Sequence, residues 1–216
     1  MSKETTFLQT PSAPSLPVAT TQYTQRFQDQ YSNVLRLYFN RLSNALSLVT
    51  GNEGGQYLSF PYGAFLDTTT QTAAATSTAY SVKFNTTTST NSVTVDTTDT
   101  SKIIVDEEGV YNFAFSLQLD KASGAAGHTY IWARVNGVDV ENSASEVAIQ
   151  GTTAENIAAW NFFLSMQPGD YFQLMWSVDD TNIQIKAVAA TSPVPAIPSS
   201  ILTVNFISKP PINASA

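Results

Sequence analysis

Apolar and polar residues alternate along the stretch EEGVYNFAFSLQL, which runs from Glu107 to Leu119. Successive side chains of a β-strand point to opposite faces, so one face of this stretch is wholly apolar and the other is mixed. The apolar set is Tyr111, Phe113, Phe115, Leu117 and Leu119. The pattern predicts a long strand with one face covered by a hydrophobic layer.

Short segments with the same period continue towards the C-terminus, separated by turn-forming residues. Asn136 and Gly137 are the favoured pair for a tight hairpin turn, and Pro168 and Gly169 suit the centre of a type II turn. About ten short strands without an intervening helix predict a mainly β fold, an antiparallel sandwich or jelly roll. We place this head at residues 56–209, followed by a C-terminal tail at residues 210–216.

The Thr-rich run before Glu107 alternates less clearly. Its segments AYSVKF, SVTVD and KIIVD predict short strands, because β-branched residues favour extended backbone. The polar stretches between these segments are predicted to be loops.

A period of three to four residues distinguishes the segment at residues 22–55 and predicts one amphipathic helix. Thr20 or Thr21 is placed to cap its start and Gly51 its end. Its apolar surface is wider than one face, so the helix either packs between layers of its own chain or associates with copies of itself. Residues 1–21, rich in Pro, Ser and Thr without periodicity, predict an extended arm.

The strands on either side of the QPGD turn carry large apolar residues on both faces. Phe172, Leu174 and Trp176 share one face, and Tyr171 and Met175 lie on the other. In a monomeric sandwich, the outer face of a strand is polar and contacts water. The pattern therefore favours covering by another subunit.

Composition narrows the possible functions of the 216 residues. Charged residues make up only 12%, about half the usual share, which is common on assembled, extracellular or virion proteins. A formal charge of -7 argues against binding to nucleic acid, and the lack of cysteine excludes disulfides and thiolate sites. Since neither a signal peptide nor an apolar run long enough to span a bilayer is evident, we expect synthesis in the cytoplasm, of its own cell or of an infected host cell, and no membrane insertion.

The order GVYNFAFSLQL, ARVNGVDV, AAWNFFLSMQPGDYFQLMW and SILTVNFIS resembles the trimeric jelly roll shared by the complement C1q head and the tumour-necrosis-factor ligands. The resemblance covers about residues 61–208, and its most specific points are Gly109, Asn136, Gly137, Gly169 and Asp170. It implies a homotrimer whose core and interface use Tyr111, Phe113, Phe115, Trp160, Phe162, Tyr171, Met175 and Phe206. It does not imply a complement or cytokine function, because fold alone does not fix function.

The N-terminal segments LRLYFNRLSNALSL and FPYGAFLD resemble small structural proteins of marine cyanophages and their relatives. This resemblance implies a virion protein in which the helix at residues 22–55 is the anchor to the particle. The anchor residues we expect are Tyr23, Phe27, Tyr31, Val34, Leu35, Tyr38, Leu42 and Leu46.

Few residues suggest chemistry. His128 is the sole histidine, and no nucleophile-elbow pattern surrounds any serine, so we expect a loop residue rather than a catalytic one. The acidic run Asp106, Glu107 and Glu108 lacks the spacing of a calcium loop. We expect no catalytic residue, cofactor or metal ligand. Recognition is expected in polar loops, with candidates His128, Glu141, Asn142, Asp179 and Asp180.

These observations predict a non-enzymatic virion protein whose partners are its own copies, other virion proteins through the N-terminal region, and a host surface receptor or glycan. A tail fibre or tail appendage is favoured over a capsid decoration, because a separable anchor precedes the head. A third hypothesis is an enzyme that acts on host glycans through Asp106, Glu107 and Glu108.

Overall fold

The computed structural model describes residues 12–18, 21–50 and 59–209. The chain divides into two compact units, Met1–Ser59 and Phe60–Ala216. The finer division into arm, helix, head and tail stays a prediction.

The first unit contains one described helix, α1 (Gln25–Thr50). The hydroxyl of Thr24 accepts a hydrogen bond from the backbone N–H of Phe27 at 3.4 Å, which makes Thr24 the N-cap. The predicted cap at Thr21 was therefore placed three residues too early. Thr20 and Gly51 lie outside the described residues.

The predicted apolar stripe lies along α1, and no residue of the helix is buried. Tyr23 precedes the helix and is exposed, as is Leu46 within it, whereas the other predicted anchor residues are half-buried by their neighbours: Phe27, Tyr31, Val34, Leu35, Tyr38 and Leu42. The described part of the chain holds no helix with the length and hydropathy to cross a bilayer.

The second unit is built from short strands. In chain order within residues 59–209 they are β1 (Tyr62–Asp67), β2 (Gln71–Thr72), β3 (Tyr80–Ser81), β4 (Thr86–Asn91), β5 (Val93–Val95), β6 (Ile103–Val105), β7 (Gly109–Lys121), β8 (Gly127–Val135), β9 (Val138–Asp139), β10 (Ser145–Ile149), β11 (Glu155–Met166), β12 (Tyr171–Val178), β13 (Ile183–Ile185) and β14 (Ser200–Ser208).

These strands form two sheets with antiparallel pairing. The first sheet has the order β2, β13, β7, β14, β1, β4, and β11 pairs with β7. The second has the order β10, β8, β12, β6, β5, with β3 beside β12 and β9 beside β8. The predicted fold class, a mainly antiparallel β-sandwich preceded by a helix, is confirmed.

The apolar face of β7 is covered by the second sheet of the same chain. Tyr111, Phe113 and Leu117 are fully buried, and the rings of Phe113 and Phe172 stack with centroids 4.3 Å apart. Phe172 belongs to β12, whose Leu174 and Trp176 continue the opposing face of the core. The apolar residues of β7, from Tyr111 to Leu119, therefore lie at the centre of the core.

Both predicted turns are confirmed by their backbone geometry. Asn136 and Gly137 have φ values of 50° and 80°, as the hairpin between β8 and β9 requires. The carbonyl of Gln167 accepts the N–H of Asp170 at 3.0 Å, and Gly169 between them has φ of 87°, which defines a type II turn.

Strand β4 corrects the prediction for the Thr-rich run. Its sequence TTTSTN was predicted to be a polar loop, but it pairs with β1. Nearly all its side chains are exposed, so no apolar alternation marks it. AYSVKF, by contrast, contributes only the two-residue strand β3.

The register separates the head into two ends. Tyr62 pairs with Asn205, which pairs with Asn112, so the chain enters and leaves the head at one end. We call it the near end. The opposite far end carries the loops at residues 122–126, 150–154 and 179–182, which follow β7, β10 and β12.

Candidate functional site

A buried lysine organises the far end of the head. Lys121, the last residue of β7, is 0% exposed, and its ammonium contacts the Asp180 carboxylate. That carboxylate also accepts hydrogen bonds from the backbone N–H of Asn182 at 2.9 Å and from its side-chain amide at 2.8 Å. The hydrogen bond from Lys121 is the main reason that the pKa of Asp180 falls to about 2. Asp180 is therefore ionised at any physiological pH and holds its loop against β7.

Further hydrogen bonds join the far-end loops to one another. The backbone N–H groups of Lys121 and Ala122 donate to the carbonyls of Ala154 and Asn182 at 3.0 Å each. The hydroxyl of Thr152 donates to the carbonyl of Gly124, also at 3.0 Å. The far-end loops are thus held together by hydrogen bonds within the chain. A surface that is already ordered loses less conformational entropy when it binds a ligand.

His128 lies between two carboxylates at this end. Its Nδ1 is 2.7 Å from Asp179 Oδ2, and its backbone N–H donates to Asp179 Oδ1 at 2.6 Å. Its Nε2 is 3.4 Å from Glu146 Oε1 on β10. The hydrogen bond with Asp179 is the main cause of the raised pKa of His128. Within the described residues, the ring makes no hydrogen bond to a serine or threonine hydroxyl, and its contacts link β8 to β10 and to the loop after β12.

Two residues of the acidic run before β7 make separate contacts with different partners. The carbonyl of Glu107 accepts the Tyr111 hydroxyl at 2.8 Å, and Glu108 Oε1 accepts the Gln167 amide at 3.4 Å. Across residues 12–18, 21–50 and 59–209, no group of three or more His, Asp or Glu side chains is arranged to hold a metal ion.

The outer face of the first sheet is uncharged over most of its area. Cross-strand partners share a face, so the registers of β11, β7, β14 and β1 define it. We call it face A: Ile157, Ala159, Asn161, Phe163 and Ser165 of β11; Val110, Asn112, Ala114, Ser116 and Gln118 of β7; Ile201, Thr203 and Asn205 of β14; and Tyr62, Ala64 and Leu66 of β1.

Large apolar side chains of face A are open to solvent in the single chain. Ile157 and Phe163 are each 61% exposed, Tyr62 is 43% exposed and Ile201 is 39% exposed. The charged residues of β7 and β11 on this side are Asp120 and Glu155, which lie at the far-end rim and pair with Lys186 at 2.9 Å each. An apolar surface with a polar rim is typical of a protein interface.

The outer face of the second sheet is different, because it is charged. We call it face B: His128, Tyr130, Trp132 and Arg134 of β8, Asp139 of β9, Glu146 of β10, and Tyr171, Gln173, Met175 and Ser177 of β12. Met175 is only 2% exposed within the single chain. The second apolar face of β12 therefore needs no other subunit to cover it at Met175.

The predicted interface residues lie mainly on the inner side of the first sheet. Tyr111, Phe113 and Phe115 are buried core residues, and Trp160, Phe162 and Phe206 are partly buried against them. Tyr171 is half-buried on face B, where Lys102 Nζ lies 4.9 Å from its ring centroid. Face A was missed by the sequence reasoning. The Phe162–Phe163 doublet was the available signal, because adjacent residues of a strand must point to opposite faces.

The predicted recognition residues divide into two groups. His128, Asp179 and Asp180 come together at the far end. Glu141 and Asn142 lie beside the middle of β8, because the N–H of Val140 donates to the carbonyl of Ala133 there.

Comparison with known proteins concerns the fold. No family model matches the chain, and no curated protein matches it. Among solved structures, the globular domain of zebrafish complement 1qA protein is similar to this chain, with 12% sequence identity and a TM-score of 0.41 over 69% of this chain and 99% of that one.

Removing the partner of the buried lysine should destabilise the head. Asp180→Asn leaves the Lys121 ammonium without its counter-charge and should lower the free energy of unfolding by about 3 kcal/mol. Lys121→Met, which removes the buried charge itself, should cost less. Asp99→Asn is the control, since the exposed Lys102–Asp99 pair should contribute under about 1 kcal/mol. Urea denaturation measures all three, and equal losses for Asp180→Asn and Asp99→Asn would contradict the role of the pair.

The His128 pair should make stability depend on pH. The folded state binds the His128 proton more tightly than the unfolded chain, whose pKa is about 6.5. The stabilisation is therefore complete below about pH 6.5 and is lost as the pH rises through the higher folded pKa. NMR titration of this sole histidine measures that pKa directly, and Asp179→Asn should lower it. A wild-type value at or below 6.5 would refute the interaction.

Proposed function

We propose that this chain is a non-enzymatic structural protein of a phage virion. A tail fibre or tail appendage is favoured over a capsid decoration. Three copies assemble through face A, the N-terminal arm and α1 attach the trimer to the particle, and the far end is presented to the host surface. Face A carries this proposal, because a folded head that leaves such a surface in water has strong reason to bury it against copies of itself.

The composition of face A favours self-association over contact with a charged partner. Burying its side chains removes apolar area from water without desolvating an ionised group, which is the costly event at an interface. The Asn161 side-chain amide donates to Asn112 Oδ1 at 2.8 Å within the chain, so one donor and one acceptor of this face are already satisfied. Three heads joined in this way would leave face B and the far end free.

The place where the chain enters and leaves the head supports a role in attachment. The chain enters the head at Tyr62 and leaves it beside Phe206, both at the near end, whereas Lys121, His128 and Asp179 lie at the far end. An anchor that precedes Tyr62 would thus hold the end remote from the ordered loops. Helix α1 offers for that anchor an apolar stripe in which no residue is buried.

The trimer is tested by placing a charge on face A. Phe163→Glu should dissociate the wild-type trimer into monomers, because the new carboxylate would be desolvated in the interface. Tyr130→Glu, which places the same charge on face B, is the matched control and should remain trimeric. Light scattering after size exclusion measures the masses, and circular dichroism verifies that both variants fold. A wild-type monomer at micromolar concentration, or dissociation by both variants, would contradict face A as the interface.

The location is tested by the copy number of this protein relative to the major capsid protein in purified particles. A tail appendage should give a small ratio, measured by quantitative mass spectrometry with isotope-labelled peptides. A near-stoichiometric ratio would instead identify a capsid decoration, and absence from purified particles would refute a virion role altogether.

A further inference from the structure

A second surface of the head, on face B, has the chemistry of a binding site. Strand β8 places Tyr130, Trp132 and Arg134 on this face, because the intervening Ile131 and Ala133 are fully buried in the core. Tyr130 and Trp132 are two residues apart, so their Cα atoms are about 7 Å apart along the strand. The spacing of the two aromatic residues is therefore comparable with the length of one six-membered sugar ring.

The ring of Trp132 is held in place from its polar edge. Its indole N–H donates to Asp139 Oδ1 at 2.7 Å, and the same oxygen accepts Arg134 Nε at 2.7 Å. The polar atom of the indole is thus satisfied within the chain, and its carbon atoms are what remains for a partner. A ring fixed in this way loses little conformational freedom when a ligand packs on it.

The Arg134–Asp139 pair leaves hydrogen-bonding groups beside the rings. In the described residues, Asp139 Oδ2 and the two Nη atoms of Arg134 take part in no hydrogen bond. The Asp139 side chain is 53% exposed, and the pKa of its carboxyl is lowered chiefly by Arg134, so it is an ionised acceptor. Charge-assisted donors and acceptors next to an apolar platform match the alternating C–H faces and hydroxyl edges of a pyranose.

The backbone of β8 is not available to a peptide at this place. Its edges pair with β12 on one side and with β9 and β10 on the other. A peptide laid on face B would find side chains only and would leave its own amides unpaired. A sugar presents hydroxyls that the Arg134–Asp139 pair can satisfy.

The charge of this surface determines whether a neutral or an anionic sugar can bind. Asp139, Glu146 and Asp179 lie on or beside this surface together with Arg134, His128 and Lys102, and the chain as a whole carries -7. An anionic glycan would approach against this potential. We infer that Tyr130, Trp132, Arg134 and Asp139 form a binding site for a neutral glycan, with one pyranose packed on the two rings.

This inference rests on the proposed role as a host-binding head and gives that role its ligand class. A single site of this size binds weakly, at about millimolar Kd, since a monosaccharide offers few atoms. Three such sites on one trimer raise the effective affinity for a polymeric surface glycan through avidity.

The test uses the full-length protein labelled with 5-fluorotryptophan, which places one fluorine on each of the three Trp residues. Methyl glycosides of glucose, galactose, mannose and N-acetylglucosamine are titrated, together with galactose 3-sulfate and methyl N-acetylneuraminate. At least one neutral glycoside should shift the fluorine signal of Trp132, which Trp132→Phe assigns. The signal of the buried Trp176 should stay in place and serves as an internal control.

Substitutions then locate the site. Tyr130→Ala should weaken binding at least tenfold, and Asp139→Asn should weaken it measurably while preserving shape. Val138→Ala, a change at an exposed apolar residue next to Asp139, should leave the Kd within twofold. No shift with any of the four neutral glycosides, binding of the anionic sugars alone, or a shift that survives Tyr130→Ala would overturn the inference.

Light scattering of the same samples separates the two proposals. A monomer that binds a neutral glycoside through Tyr130 would retain the glycan site and refute the trimer. A trimer that binds none would refute the glycan site alone.

Discussion

The register of β7 is the constraint on which the rest of the head depends. Its inner side chains make the core with β12, its outer side chains lie at the middle of face A, and its last residue, Lys121, holds the far-end loops. Strands β11, β13 and β14 all pair with it. A slip of one residue would exchange its two faces, so the core, the uncharged surface and the lysine would all be lost together.

Local patterns predicted a large part of this fold. The alternation from Tyr111 to Leu119 predicted the central strand because burial on one face imposes a period of two. The turns at Asn136–Gly137 and Pro168–Gly169 were predicted because their backbone conformations suit few other residues. Burial of one strand face and the backbone conformation of a turn each depend on a few neighbouring residues, so both can be recognised in the local sequence.

Features that depend on distant partners could not be predicted in the same way. Strand β4 exists because β1 offers it a free edge, and its Thr and Ser side chains, exposed on both sides, carry no periodic signal. The burial of Lys121 depends on Asp180, 59 residues later. A tryptophan within a strand pattern, such as Trp132, is more often a core residue than a binding one, and only the hairpin that brings Asp139 beside Trp132 distinguishes it.

Lys121 determines which solution conditions can disturb the far-end loops. Loops rich in aspartate are commonly gathered by a bound divalent cation, whose occupancy follows the surrounding medium. Here the ammonium of Lys121 supplies positive charge to Asp180 from within the chain. A covalently attached cation cannot be diluted away or removed by a chelator, so the charge that pairs with Asp180 stays in place when divalent cations are withdrawn.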